Sequence, residues 1–294
     1  MNGIIIIDKP AGWTSHDVIG KLRGVFHEKR IGHGGTLDPM ATGVLPVFVG
    51  RATRAVPFCE NAEKEYIAAL RPGIVTDTQD ITGNILETSD LHVSADDLVN
   101  IIPSFLGEQA QLPPMYSAIK IGGKKLYELA RRGVEVERNA RTITIRELSY
   151  LGERDGDFLL RIVCSKGTYI RSLCHDMGQK LGCGACMSSL RRTRAGRFSL
   201  SDAVTLEKAV SAGSPEEAAK MLLPTDSLFG DCPAVTIDDT HMKKCINGTE
   251  FPFPTDITGL CRVYAPNGGF LMLGEASDGM IKTVKSFFEV QHGR

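Results

Sequence analysis

The chain has no apolar run near the roughly 20 residues that a membrane-spanning helix requires, which excludes a helical membrane protein. Its most apolar opening stretch, Ile4-Ile5-Ile6-Ile7, is far too short for the core of a secretory signal. An excess of one charge is also missing. With 34 basic and 35 acidic side chains the formal net charge is -1, so any polyanion site must be a local patch. Eight cysteines are present, yet Cys183-Gly184-Ala185-Cys186 is half of a zinc site without a second CxxC or paired histidines at a matching interval. Reduced thiols in a cytoplasmic protein, with no metal, are the expectation. Internal repeats and low-complexity segments are absent as well.

What is there suffices for a large core: 294 residues, 42% of them hydrophobic, imply one large domain and one small one. Residues 3–7 read as a buried strand, and Thr14 or Ser15 as the N-cap of a helix running to about Phe26. Val44 to Val49, Glu65 to Ala69, Ile143 to Tyr150 and Phe158 to Cys164 have strand character. Helices are expected at about 51–61, 94–106, 124–132 and 169–181. This irregular alternation lacks the even rhythm of a doubly wound parallel sheet, so an α+β fold with a mixed or antiparallel sheet flanked by helices is expected.

Two stretches are basic against this neutral background. Between 115 and 146 eight Lys or Arg stand against three Glu, following Pro113-Pro114 and surrounding Gly122-Gly123, as in a basic insertion projecting from a sheet. The second stretch, Arg191-Arg192-Thr193-Arg194-Ala195-Gly196-Arg197, has no acid at all. Either could be a solvated face; two such concentrations favour phosphate-facing surfaces. A helical connector is expected from Ser211 to Pro224. After it, Asn267-Gly268 and Asp278-Gly279 between apolar runs are hairpin signals that place a small β-rich domain from about 225 to 294. Six basic and nine acidic side chains there make it a poor polyanion binder by itself.

The run Gly32-His33-Gly34-Gly35-Thr36-Leu37-Asp38-Pro39-Met40-Ala41-Thr42-Gly43 confines one carboxylate in a shaped loop, because glycines permit special backbone angles and Pro39 fixes its own φ. On spacing alone Asp38 serves equally as a turn opener or as a held reactive group. A phosphate cradle is disfavoured, since neither the Gly-Lys-Ser/Thr ending of a P-loop nor a dinucleotide fingerprint follows.

Seven motifs in order then carry a resemblance. They are Asp8-Lys9-Pro10-x-Gly12-x-Thr14-Ser15, the Gly32 to Pro46 run, Lys64-x-Tyr66, Pro114-x-Tyr116-Ser117-Ala118, Gly123-Lys124-Lys125-Leu126-Tyr127, Cys164-Ser165-Lys166-Gly167-Thr168-Tyr169-Ile170-Arg171 and Leu190-Arg191-Arg192. Together they span nearly all of the first 200 residues, and the chain resembles the bacterial tRNA pseudouridine-55 synthases of the TruB type. The resemblance implies isomerisation of one uridine in the T-arm loop of tRNA, with no cofactor, no guide RNA and no obligate protein partner. It implies a catalytic domain over 1–223 with a central mixed, largely antiparallel sheet, an RNA-gripping thumb at about 112–142, and a PUA-like domain over 224–294.

Residue by residue, the resemblance makes Asp38 the catalytic carboxylate, as nucleophile or as base toward the sugar, with Arg171 as its ionic partner. Tyr66 matches the stacking tyrosine, Tyr169 and Leu190 match pocket walls, and His33 matches a residue that inserts into the RNA loop. Lys9 is placed at the cleft floor. Lys124, Lys125, Arg131, Arg132 and Arg141 are candidate phosphate contacts that position the T-arm. Without the motif context, Tyr66 reads as a half-buried strand tyrosine and His33 as a turn histidine. Gly34 departs from the Thr common in the family, which implies added flexibility beside His33. An RNA-folding module whose main role is remodelling the tRNA elbow is the rival reading.

Overall fold

The computed structural model describes residues 1–288. Its centre is a ten-stranded sheet. The main path runs Val204–Thr205, Gly3–Lys9, Thr42–Val49, Ala185–Ala195, Lys64–Pro72, Asp157–Cys164, Arg141–Arg154 and Gly107–Gln111. Its pairings are antiparallel except at two places. Gly3–Lys9 pairs in parallel with Val204–Thr205, and Thr42–Gly43 in parallel with Arg191–Arg192. The sheet is therefore mixed and largely antiparallel, as expected.

The four isoleucines explain why this sheet is covered on both faces. Side chains alternate along a strand, so Ile5 and Ile7 join one core with Val18, Ile19 and Leu22 of the helix Ser15–Phe26. Ile4 and Ile6 point the other way, into a second core with Phe48, Phe198, Phe229, Leu273 and Phe287. Thr14 caps that helix in a capping box with Asp17.

Leu273 and Phe287 come from the C-terminal β-rich domain. Five strands form its sheet in the order Ala234–Thr236, Gly259–Tyr264, Phe270–Ser277, Met280–Ser286 and Phe251–Pro252. Both hairpin signals hold: Gly268, Asp278 and Gly279 all have positive φ, which tight turns between twisted strands demand. The domain docks with Phe229 edge-on to Phe58 at 5.3 Å, beside the internal stack of Phe270 on Phe287 at 5.2 Å. The expectation of β structure to 294 extends over 289–294, which lie outside the described residues.

Several helices are shorter than expected. The 51–61 segment is a 3-10 turn, Gly50–Ala55, followed by a helix Val56–Asn61 with Pro57 in its first turn. At 94–106 a helix Ala95–Ile101 passes into a 3-10 turn, Ile102–Phe105, where Pro103 lacks the N–H to continue it. The expected 124–132 helix is only Leu126–Ala130. Lys124–Lys125 instead pairs with Lys120–Ile121 across Gly122-Gly123, whose positive φ values suit a two-residue hairpin. The connector after Ser211 contains only the short helix Pro215–Ala219.

Candidate active site

Asp38 sits in a loop held by other residues' cations. Lys9, fully buried, donates from Nζ to the carbonyls of Pro10 (2.9 Å), Trp13 (2.6 Å) and Pro39 (3.2 Å). The Ser15 hydroxyl accepts from the Leu37 N–H at 2.9 Å and donates to the Leu37 carbonyl at 3.2 Å, fixing the residue before Asp38. Arg192, 1% exposed, donates from Nε to the Val44 carbonyl at 2.7 Å and from Nη2 to the Gly35 carbonyl at 3.0 Å. Its Nη1 reaches the Thr36 carbonyl at 3.4 Å. Both ends of the loop are thus tied to one guanidinium.

The 191–197 stretch, expected to face phosphates, is turned inward at Arg192, while Arg197 is exposed. Arg192 is spent on the protein's own carbonyls, Arg191 pairs with Asp8 at 2.8 Å, and Arg194 donates to the Gly196 carbonyl at 3.2 Å. Gly43 shows how closely the loop and strand meet: it has φ +101°, and a Cβ there would lie 2.1 Å from the Arg192 carbonyl oxygen. Gly34 is likewise packed rather than loose. Its N–H donates to the Pro46 carbonyl at 2.9 Å, and the Cys59 sulfur would lie 2.4 Å from an added Cβ.

The carboxylate of Asp38, about a third exposed, faces Arg171, which is 5% exposed. Arg171 Nε lies 2.9 Å from Oδ2, and Nη2 donates to Oδ1 at 3.3 Å. The same guanidinium donates to the carbonyls of Thr78 (2.9 Å) and Tyr116 (2.8 Å) and lies 3.7 Å from Asp80 Oδ2. Arg171 lies on the helix Ile170–Leu181, whose N-cap is Tyr169. A buried cation thus meets a partly exposed carboxylate at two points.

Tyr66 is 8% exposed and lies opposite Arg192 across the strand pair. Burial pushes its phenol up from the usual tyrosine range, while Arg192 partly offsets this and the Asp38 charge adds to it. Leu190, 7% exposed, lies two residues before Arg192 and on the same strand face. His33 pairs with Val47 and meets His16 edge-on at 6.5 Å; burial, then the charges of Arg192 and His16, push its imidazole down to about 4. Burial lowers Lys9 to about 8, opposed by Asp38 and reinforced by Arg192.

Tyr169, half-buried, is held through its backbone. Its N–H donates to Gln111 Oε1 at 2.8 Å, and its carbonyl accepts from Gln111 Nε2 at 2.9 Å. Arg141 lies over its ring, 5.8 Å from the centroid. Lys124 and Lys125 instead lie on the hairpin over 120–125, and Arg131 and Arg132 just beyond the short helix Leu126–Ala130, with Lys125 and Arg131 each 5.4 Å from the Tyr127 ring centre. Sequence reasoning missed Arg192 as a loop anchor, Gln111 as a clamp and Asp80 beside Arg171. The alternation Leu190-x-Arg192 is a usable sign that Arg192 faces inward; nothing local marks the other two.

Cys183 and Cys186 are buried free thiols, with Cys186 pushed up to about 11 by burial. No group of three or more metal-ligating side chains occurs among the described residues. No helix among them is long and apolar enough to cross a membrane.

A family model described as TruB family pseudouridylate synthase (N terminal domain) matches residues 23–170. A second, described as the tRNA pseudouridylate synthase B C-terminal domain, matches 171–230. A tRNA pseudouridine synthase B of Clostridium kluyveri is 41% identical over 292 residues, 98% of this chain and all of the relative. That of Syntrophotalea carbinolica is 46% identical over 245 residues, 83% of this chain and 80% of the relative. Among solved structures, a Cbf5-Nop10-Gar1 complex matches with TM-score 0.74 and 29% identity, covering 97% of this chain and 85% of the other. An H/ACA RNP bound to a substrate RNA containing 2'-deoxyuridine matches with TM-score 0.72 and 27% identity, covering 98% and 85%.

Proposed function

The chain belongs to the TruB family and is a pseudouridine synthase acting on tRNA, and on that premise we propose that it isomerises uridine 55 in the T-arm loop, in the cytoplasm and without guide RNA. The observation that carries this reading is the two-point contact of the buried Arg171 on Asp38, at the end of a loop whose backbone Lys9 and Arg192 immobilise. The reaction breaks the bond between sugar C1′ and base N1, turns the base, joins C1′ to C5 and releases the C5 proton. Asp38 supplies the charged group, either attacking the sugar or taking a proton from it. Arg171 holds it aimed.

The target base must leave its stack at a cost of a few kcal/mol, which a new stack in the pocket offsets. Tyr66 is the stacking surface, its phenol pushed up from the usual tyrosine range by burial. Tyr169 and Leu190 form the walls, and His33, neutral at pH 7, fills the vacated space in the RNA loop. The unit over 1–223 carries this chemistry, and the exposed Lys124, Arg131 and Arg132, with the half-buried Lys125, grip phosphates through the thumb. The C-terminal domain, acidic in balance, is PUA-like and secondary in RNA affinity.

Tritium release from tRNA labelled at uridine C5 tests this. Wild type should release it without added guide or cofactor, and a transcript carrying cytidine at position 55 should lose that release. Asp38→Asn keeps the shape and removes the charge, so the rate should fall by about a thousandfold, within the span for a positioned proton-transfer group. Tight tRNA binding by both proteins without release from either would instead favour the RNA-folding module.

A further inference from the structure

The thumb leaves the sheet after Gln111 and returns to it at Arg141, and these two residues are cross-strand partners at its root. Both converge on Tyr169. Gln111, 3% exposed, spends its whole amide on that residue's backbone, accepting from the N–H at 2.8 Å and donating to the carbonyl at 2.9 Å. Arg141 covers the ring face at 5.8 Å, and its Nη1 also lies against Gly167 in the turn that delivers Tyr169. Two residues further along the chain, Arg171 donates to the Tyr116 carbonyl inside the thumb while it contacts Asp38.

We infer that Gln111 and Arg141 form a latch at the thumb root that positions Tyr169, so that the thumb's grip on RNA is transmitted to the pocket wall. The inference rests on the proposed isomerase reading. Gln111 is a positioning residue: it carries no charge and is buried, so it cannot serve as a phosphate contact in its own right. Its two hydrogen bonds set the N-cap of the helix bearing Arg171, which makes the wall and the ionic partner of Asp38 move as one piece. Arg141, also a candidate phosphate contact, has the second task of closing the ring face, for which a planar guanidinium that stacks is better suited than a compact ammonium.

The two roles of Arg141 separate experimentally. Arg141→Lys retains the charge, so a phosphate contact predicts an unchanged rate at saturating tRNA and an unchanged salt slope of binding. The latch predicts the same salt slope with a rate several-fold lower. Gln111→Leu should lower the single-turnover rate at saturating tRNA by about tenfold, the size expected from losing buried hydrogen bonds, with tRNA affinity within about twofold of wild type. If Gln111→Leu fails to fold, Arg141→Lys decides alone. Variant rates equal to wild type, or losses confined to tRNA affinity, overturn the latch while the isomerase reading stands. Absence of release by wild type overturns the isomerase reading first, and the latch with it.

Discussion

The surroundings of the Asp38 loop and the basic segment over 112–142 both draw on lysine and arginine, and they use them in opposite ways. Around Asp38 the cations point inward: Lys9, Lys64 and Arg192 are buried, and each donates to backbone carbonyls. In the basic segment over 112–142 they point outward, with Lys124, Arg131 and Arg132 exposed. A buried cation surrounded by carbonyls immobilises a loop that has little regular structure. An exposed one keeps its charge available for a partner. The lesson is that a basic stretch says little about its role until its burial is known, since desolvation makes an unpaired interior charge far more costly than a surface one.

The sharpest way to break this comparison is to remove an inward cation. Arg192→Met leaves the carbonyls of Gly35, Thr36 and Val44 without that donor. It should cost about 4 kcal/mol of stability, from the penalty for several buried unsatisfied acceptors. Urea unfolding measures this, and tritium release should fall with it even in protein that remains folded. A loss near zero would mean that the loop holds itself.

A smaller effect is expected from His33, which reports the buried positive charge. Its imidazole is pushed down to about 4 from an ordinary value of 6.5, by burial first and then by Arg192 and His16. Between pH 6.5 and 4 the unfolded chain binds a proton that the folded chain refuses, so stability falls as pH falls through that window. His33→Gln should remove about 2 kcal/mol of this decline, somewhat less than the full shift because the ring is partly open to solvent. Unfolding curves at pH 6.5 and 4 for both proteins provide the check; parallel declines would show that His33 does not contribute.

The smallest change in stability is predicted for the outward cations. Lys124→Ala with Lys125→Ala should leave the unfolding midpoint where it is. The slope of log affinity for tRNA against log salt should fall by about 2, one per lost phosphate contact. An unchanged slope would place the RNA elsewhere on the surface.

Much of this is legible in the chain. The isoleucine run and its neighbours mark strands, Thr14 and Asp17 mark a helix start, and the glycine turns mark hairpins in the C-terminal sheet. Asp38 and Arg171 stand out on the ordered motifs alone, and the structure brings them into contact. The helices near Pro57 and Pro103 are shorter than their apolar pattern suggests, because that pattern continues past a residue that cannot sustain the hydrogen bonding. Gly34 suggests looseness by its residue type, although the Cys59 sulfur fills the space beside it.

Such features are determined by sequence alone because their causes are local: side-chain alternation, capping hydroxyls and backbone angles open to few residues. Only the tertiary structure decided that Arg192 serves Gly35, Gln111 grips Tyr169 and Arg171 touches Tyr116, across separations of 157, 58 and 55 positions. Those pairings follow from strand register and from how one helix end meets the sheet. A buried polar group left without a partner there costs free energy, so most find one.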